Sequence, residues 1–202
     1  MVWNQLLRGL EIRCRGMLEK WQKISSEVFH ENKWWKGIHD RFRLPNGKEG
    51  DYFYMSKLDP VAIIAVDNDG KILMHKQYRY LFDKESLEVP CGSSKPGQTV
   101  EEAALAELAE ETGFRPRKIK KIGQFSSANA LMTETCNIFL ASELEPFQAE
   151  KDETEDFESF KLTPEEIDLA IASGEIWCGF TIAAWTLAKP YLKNNPSTPS
   201  AS

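Results

Sequence analysis

Apolar residues recur along this chain with more than one period, and each period marks a different kind of element. Trp3, Leu6, Leu7, Leu10, Cys14, Met17, Leu18 and Trp21 follow one another at three- and four-residue steps with charged residues between them. That spacing predicts an amphipathic helix. Trp35–Leu44 and Gly50–Lys57 then read as two strands joined through Pro45-Asn46-Gly47, because Asn-Gly tolerates the positive φ of a tight turn. Val61–Val66 and Lys71–Tyr78, rich in Val and Ile and linked by Asp69-Gly70, predict the central hairpin of a sheet.

Beyond Pro90 the small-residue run Cys91–Gly97 reads as a loop, and a helix is expected from about Thr99 to Thr112. Thr99 with Glu102 forms a capping-box pattern, and Gly113 supplies the stop. Lys118–Phe125 and Asn137–Glu143 predict further strands around a polar loop, and Glu150–Glu158 is an acidic loop. Thr163-Pro164-Glu165-Glu166 opens another helix, ending near Gly174. A last apolar helix, Thr181–Leu192, precedes a Pro/Ser tail at Asn195–Ser202 expected to be disordered. The division that follows is an N-terminal helix (1–24), a small strand region (25–58), a main domain (59–193) and a tail (194–202).

Composition narrows the classes of function. A chain of 202 residues with 42% hydrophobic residues buries one substantial core and has little room for two. A net charge of −6 argues against a nucleic-acid binder, which needs a clustered basic face. No apolar run reaches the roughly 20 residues of a membrane span, and Arg8, Glu11, Arg13 and Arg15 interrupt the N-terminus; a cytoplasmic protein without a membrane partner is expected. Cys14, Cys91, Cys136 and Cys178 lie too far apart for a CxxC motif, which predicts reduced thiols.

The chemistry concentrates on the helix after the glycine-rich loop. At 100° per residue, Glu107, Glu110 and Glu111 fall within about 100° of one another, with Leu105, Leu108, Ala109 and Thr112 opposite. Carboxylates four residues apart repel, by a few tenths of a kcal/mol per pair. A hard cation relieves that repulsion, since Mg²⁺ or Mn²⁺ takes oxygen ligands and bridges to phosphate. An acidic helix is more often a plain solvated face, but the loop with Gly92, Pro96 and Gly97 directly before this one allows close backbone approach to a ligand.

The segment from Gly92 to Phe114 resembles the Nudix box, G-x5-E-x7-R-E-U-x-E-E-x-G-U, where U is a bulky apolar residue. It departs at Gln98, where the family has Glu, and at Ala106, where it has Arg. Likeness to the branch of ADP-ribose and nucleoside-diphosphate-sugar pyrophosphatases extends over residues 21–190, through Arg43–Glu49, Lys76–Tyr80 and Glu88-Val-Pro-Cys-Gly92. The resemblance implies the Nudix fold, an α/β/α sandwich around a mixed sheet, here with the N-terminal helix and a small antiparallel strand region added.

The same resemblance implies that Glu107 and Glu111 are metal ligands, that Glu110 completes the cluster and that the Cys91 carbonyl adds an oxygen. Arg79 would meet a phosphate and Glu88 the terminal ribose. A base from the late acidic loop would be Glu153 first and Glu155 second. Trp34 or Trp35 would stack on a nucleobase, with core or dimer packing an equal alternative. His30, His39 and His75 read as ordinary surface or core histidines. Mg²⁺- or Mn²⁺-dependent hydrolysis of a nucleoside-diphosphate-linked small molecule by a homodimer is the expected function; a nucleotide-binding regulatory module is the alternative, since the missing arginine and glutamate ordinarily support the metal face.

Overall fold

In a computed structural model that describes residues 18–148 and 158–192, alternation along two strands accounts for the architecture. Strand β4 (Pro60–Ala65) is buried along its whole length. Its Ala62 and Ile64 enter one core cluster, while Val61, Ile63 and Ala65 enter another. Strand β9 (Cys136–Pro146) divides in the same way, Cys136 and Ile138 to the first cluster, Phe139 and Ala141 to the second. Period-two side chains buried on both sides require a layer on each face of the sheet.

Those layers are three helices. Helix α1 (Val100–Thr112) brings Ala103, Ala104 and Leu108 to the second cluster. Helices α2 (Pro164–Ser173) and α3 (Gly179–Leu192) cover the first with Ile167, Ala170, Ala184, Trp185 and Ala188. Both α1 and α2 start on full capping boxes, Thr99 with Glu102 and Thr163 with Glu166, and both end on left-handed glycines, Gly113 and Gly174.

The body holds two sheets. In one, β7 (Cys91–Ser93), β4, β9 and β8 (Phe114–Phe125) lie side by side, β4 parallel to β9 and antiparallel to β7. The other runs β10 (Glu158–Leu162), β5 (Ile72–Arg79), β6 (Lys84–Glu88), all antiparallel. The α/β sandwich with a mixed sheet is the architecture expected from the sequence.

Ahead of the body stands a meander of β1 (Gln22–Glu31), β2 (Lys36–Arg43) and β3 (Glu49–Ser56). Here the sequence reading needs correction. Strand β1 begins at Gln22, inside the segment 1–24 expected to be helical; Trp21, counted as the last helical residue, stacks on Phe42 of β2 instead. The remainder of that helix, residues 1–17, lies outside the described residues, as does the tail from 193 onward. Cys91–Ser93, expected within a loop, is a strand because its backbone pairs with Pro60–Ala62.

Meander and body are joined by more than the covalent chain. Met55 of β3 donates its N–H to the Leu131 carbonyl at 2.8 Å and accepts from the Thr133 N–H at 3.0 Å. The Tyr52 hydroxyl donates to the Ala130 carbonyl at 2.7 Å. The β8–β9 loop is thereby fastened to the N-terminal sheet.

Candidate active site

Helix α1 runs back over the edge strand β7, and the two meet through carboxylates. Glu111 is buried, with 6% of its surface exposed, and its Oε2 accepts the Cys91 N–H at 3.1 Å. One turn earlier, the Glu107 carboxylate lies directly on the Cα of Gly92, where any β-carbon would overlap it. A β-carbon at Gly92 would therefore displace an approaching side chain of the protein itself, a second use for a glycine that the sequence assigns to ligand approach. Oxygen donors on adjacent turns, facing a strand backbone without an intervening side chain, fit a hard divalent cation such as Mg²⁺ or Mn²⁺.

Glu110 stands beside the preceding loop. Half-buried, it lies 3.9 Å from Lys95 Nζ, and among the described residues no three His, Cys, Asp or Glu side chains are gathered into a metal-binding group. Of the three glutamates, Glu107 and Glu111 are the two that meet β7. Gln98 works in the same loop: its side-chain oxygen accepts the Lys95 N–H at 2.9 Å, and its own N–H donates to the Lys95 carbonyl at 3.0 Å. An amide performs this closure without a charge.

Across the second sheet, Arg79 and Glu88 form an ion pair. Arg79 Nε donates to Glu88 Oε1 at 2.6 Å, and a second guanidinium N–H donates to Oε2. Glu88 is 1% exposed, while Arg79 keeps part of its guanidinium open to solvent. Burial pushes the Glu88 carboxyl up, but the guanidinium more than offsets it, leaving the group below its ordinary value. The pair presents a preset, partly exposed arginine beside the α1 carboxylates.

His75, which the sequence presents as an ordinary histidine, lies between them. It is fully buried on β5, in register with Glu88 on β6 and Ser159 on β10. Its Nδ1 is 3.5 Å from Glu111 Oε2, and its Nε2 is 2.9 Å from the Gln77 amide nitrogen. Burial lowers its pKa to about 4, with Glu88 raising it and Arg79 lowering it further, so the imidazole is neutral at pH 7. A signal was present in the sequence: by strand alternation His75 shares a face with Leu73, which packs on the α1 side of the sheet.

The remaining expected residues divide. The Cys91 backbone belongs to the site, and its thiol pKa is raised well above the ordinary range by burial. Trp35 stands apart on the N-terminal meander, its ring 4.7 Å from that of His30 and its N–H donated to Asn32 Oδ1 at 3.0 Å. Glu153 and Glu155 lie outside the described residues.

A strand, a glycine-bearing turn and a helix that returns two glutamates onto that strand form the arrangement the box sequence implies, and comparison with known proteins agrees. Residues 56–177 match the NUDIX domain. The chain belongs to the Nudix family. Residues 21–55 of this Nudix chain, the β1–β3 meander, match the nucleoside diphosphate sugar hydrolase N-terminal domain. An ADP-ribose pyrophosphatase of Bacillus subtilis is 35% identical over 136 residues, 66% of this chain and 74% of that protein. A methanol dehydrogenase activator of Bacillus methanolicus is 29% identical over 171 residues, 84% and 92% of the two chains. A solved ADP compounds hydrolase has the same fold, with a TM-score of 0.79 over 91% of this chain and 100% of its own at 22% identity. This is a Nudix hydrolase of the ADP-ribose and nucleoside-diphosphate-sugar pyrophosphatase branch.

Proposed function

We propose that this Nudix hydrolase cleaves the diphosphate of ADP-ribose or a related nucleoside-diphosphate sugar, using Mg²⁺ or Mn²⁺, to give a nucleoside monophosphate and a sugar phosphate. The observation that carries the reading is the pair of carboxylates set against β7, Glu111 held by the Cys91 N–H and Glu107 seated on Gly92. Glu107, Glu111 and the Cys91 carbonyl would hold the cation, which neutralises phosphate oxygens and lowers the pKa of bound water. Arg79, aligned by Glu88, would bind the diphosphate bidentately. Glu110, at the helix edge beside Lys95, would tune charge at the rim. Glu153 or Glu155 would orient the attacking water as general base. Attack of that water on one phosphorus breaks the phosphoanhydride, and the leaving phosphate departs with its electron pair. Trp35 would contact a nucleobase only if brought there by a second protomer.

A homodimer is proposed on the same footing. The β1–β3 meander exposes Val28, Phe29, Trp34 and Phe53, more apolar surface than a meander of this size covers alone. Sedimentation at micromolar concentration is expected to give twice the chain mass, and a monomer there would remove the proposal. Among the described residues no helix is long and apolar enough to cross a membrane; a cytoplasmic location belongs to the same proposal.

A second reading, nucleotide binding without turnover, draws support from Ala106 in place of the box arginine and from the Bacillus methanolicus relative being named an activator. Incubation with ADP-ribose, nucleoside-diphosphate sugars, dinucleoside polyphosphates and nucleoside triphosphates, with each metal, separates the two. Metal-dependent turnover that disappears in Glu111→Gln supports the hydrolase. Nucleotide binding with no turnover on any of these substrates supports the regulatory module.

A further inference from the structure

We propose that His75 is a positioning residue for Glu111: its Nδ1–H and the Cys91 N–H together aim the Glu111 carboxylate, and Gln77 fixes the imidazole tautomer. The inference rests on the reading of Glu111 as a metal ligand and assigns a task to a histidine that family membership leaves without one.

Glu111 Oε2 receives the Cys91 N–H, so that oxygen is an acceptor. The His75 Nδ1 atom is 3.5 Å from the same oxygen; a lone pair turned toward it would be repelled, whereas an N–H is attracted. A neutral imidazole has one N–H, so placing it on Nδ1 leaves Nε2 as an acceptor. There the Gln77 amide nitrogen, 2.9 Å away, donates. The chain of donors thus points one way, from Gln77 through His75 to Glu111. At 3.5 Å the last contact is longer than a full hydrogen bond and supplies direction through the N–H dipole more than bond strength.

Packing keeps the ring in that orientation. The side chain is 1% exposed, flanked in register by Ser159 and Glu88. The Ser159 hydroxyl lies 3.5 Å from the Glu111 carbonyl, so β10 and β5 both approach the last turn of α1. Packing alone would be served by a branched apolar side chain like those preceding it on β5, without the cost of burying an imidazole. Hydrogen bonds behind metal-ligating carboxylates orient them, and their loss typically weakens metal affinity or activity by about 10–100-fold.

The experiment uses the full-length chain. Long-range ¹H–¹⁵N correlation spectra are expected to show His75 protonated at Nδ1; protonation at Nε2 overturns the inference. Mn²⁺ binding, followed by electron paramagnetic resonance, is expected to weaken about tenfold in His75→Val and to recover in His75→Asn, whose amide places a donor near the Nδ1 position. With ADP-ribose, kcat is expected to fall in His75→Val with KM little changed. Equal Mn²⁺ binding by wild type and His75→Val overturns the inference, and so does equal loss in both variants, which would indicate packing alone. Turnover absent in wild type with Mn²⁺ binding intact would overturn the hydrolase reading and leave the tautomer and Mn²⁺ results to judge His75. Absence of Mn²⁺ binding by wild type overturns both.

Discussion

The N-terminal meander and the catalytic body handle most of their charge differently. On the meander, pairs such as Arg43 with Glu49, Lys36 with Glu31 and His39 with Glu27 and Asp51 are exposed at the surface. Each is weak, because solvent screens it and ordering two long side chains costs entropy. In the body, Glu88, Glu111 and Glu134 are 1%, 6% and 2% exposed, and each is met by specific donors: Arg79, the Cys91 N–H, and the Ser127 hydroxyl with Lys57. A carboxylate is withdrawn from water only where something holds it in place. The meander buries one acid as well, Asp40, held by Lys23 at 2.6 Å, so the contrast is one of degree, with most of the buried acids among the described residues lying in the body.

Two glycines make the contrast testable. Gly92→Ala intrudes on the flexible end of Glu107, so the fold is expected to survive while kcat falls about a hundredfold, equivalent to about 2.7 kcal/mol. Gly47→Ala has open space around it but a φ of +87°, and is expected to cost about 1 kcal/mol of stability through left-handed strain, with turnover unchanged. Urea unfolding beside steady-state kinetics reads both. If Gly92→Ala unfolds the protein, or Gly47→Ala stops turnover, the proposed division between scaffold and site is wrong.

Removing one partner of a buried pair is expected to match the Gly92 effect in size, but on stability. Arg79→Ala should lose about 3 kcal/mol of stability at pH 7, because it strands Glu88 in the interior. The wild-type pair has a folded Glu88 pKa below the unfolded value near 4.3. Its contribution is thus present above that value and lost as pH falls through the lower folded pKa. Urea unfolding between pH 7 and pH 3 should show the gap between wild type and Arg79→Ala narrowing on the acid side.

Ala106→Arg restores the box arginine and is expected to raise kcat about tenfold by supporting a metal-face glutamate. Unchanged kcat would mean that the β7 contacts already suffice. The smallest effect belongs to the meander. The carboxylates of Glu27 and Asp51 raise the His39 pKa above 6.5, so its contribution is complete below the unfolded value and lost as pH rises through the folded one. Melting curves of wild type and His39→Gln should differ slightly near pH 6 and coincide by pH 9. An NMR titration giving His39 a pKa below 6.5 would contradict the contact geometry.

Much of this was legible because local and tertiary signals agree. Thr99, Glu102 and Gly113 place α1 with its capping box and left-handed stop, and the Val and Ile of β4 announce a strand buried on both faces. Strand β1 escaped notice because Gln22–Glu31 is exposed at every position and carries no period-two signal. Strand β7 is three residues long, and only its pairing with β4 makes it a strand. In the site, the carboxylate spacing was readable from helical geometry, whereas the Arg79–Glu88 pairing and the approach of His75 depend on strand register, which no single segment encodes. The approach of Lys95 to Glu110 is hidden for a related reason: an angle around a helix says nothing about a lysine arriving from the preceding loop.

The hold of β3 on the loop between β8 and β9 rests mainly on main-chain atoms, the N–H and C=O of Met55 with Leu131 and Thr133. Such bonds are indifferent to side-chain identity. Apart from Ser127, whose hydroxyl holds Glu134, the loop from Ser126 to Thr133 can therefore change its side chains while keeping its position. Evolution can reword this stretch of the chain without having to rebuild what carries it.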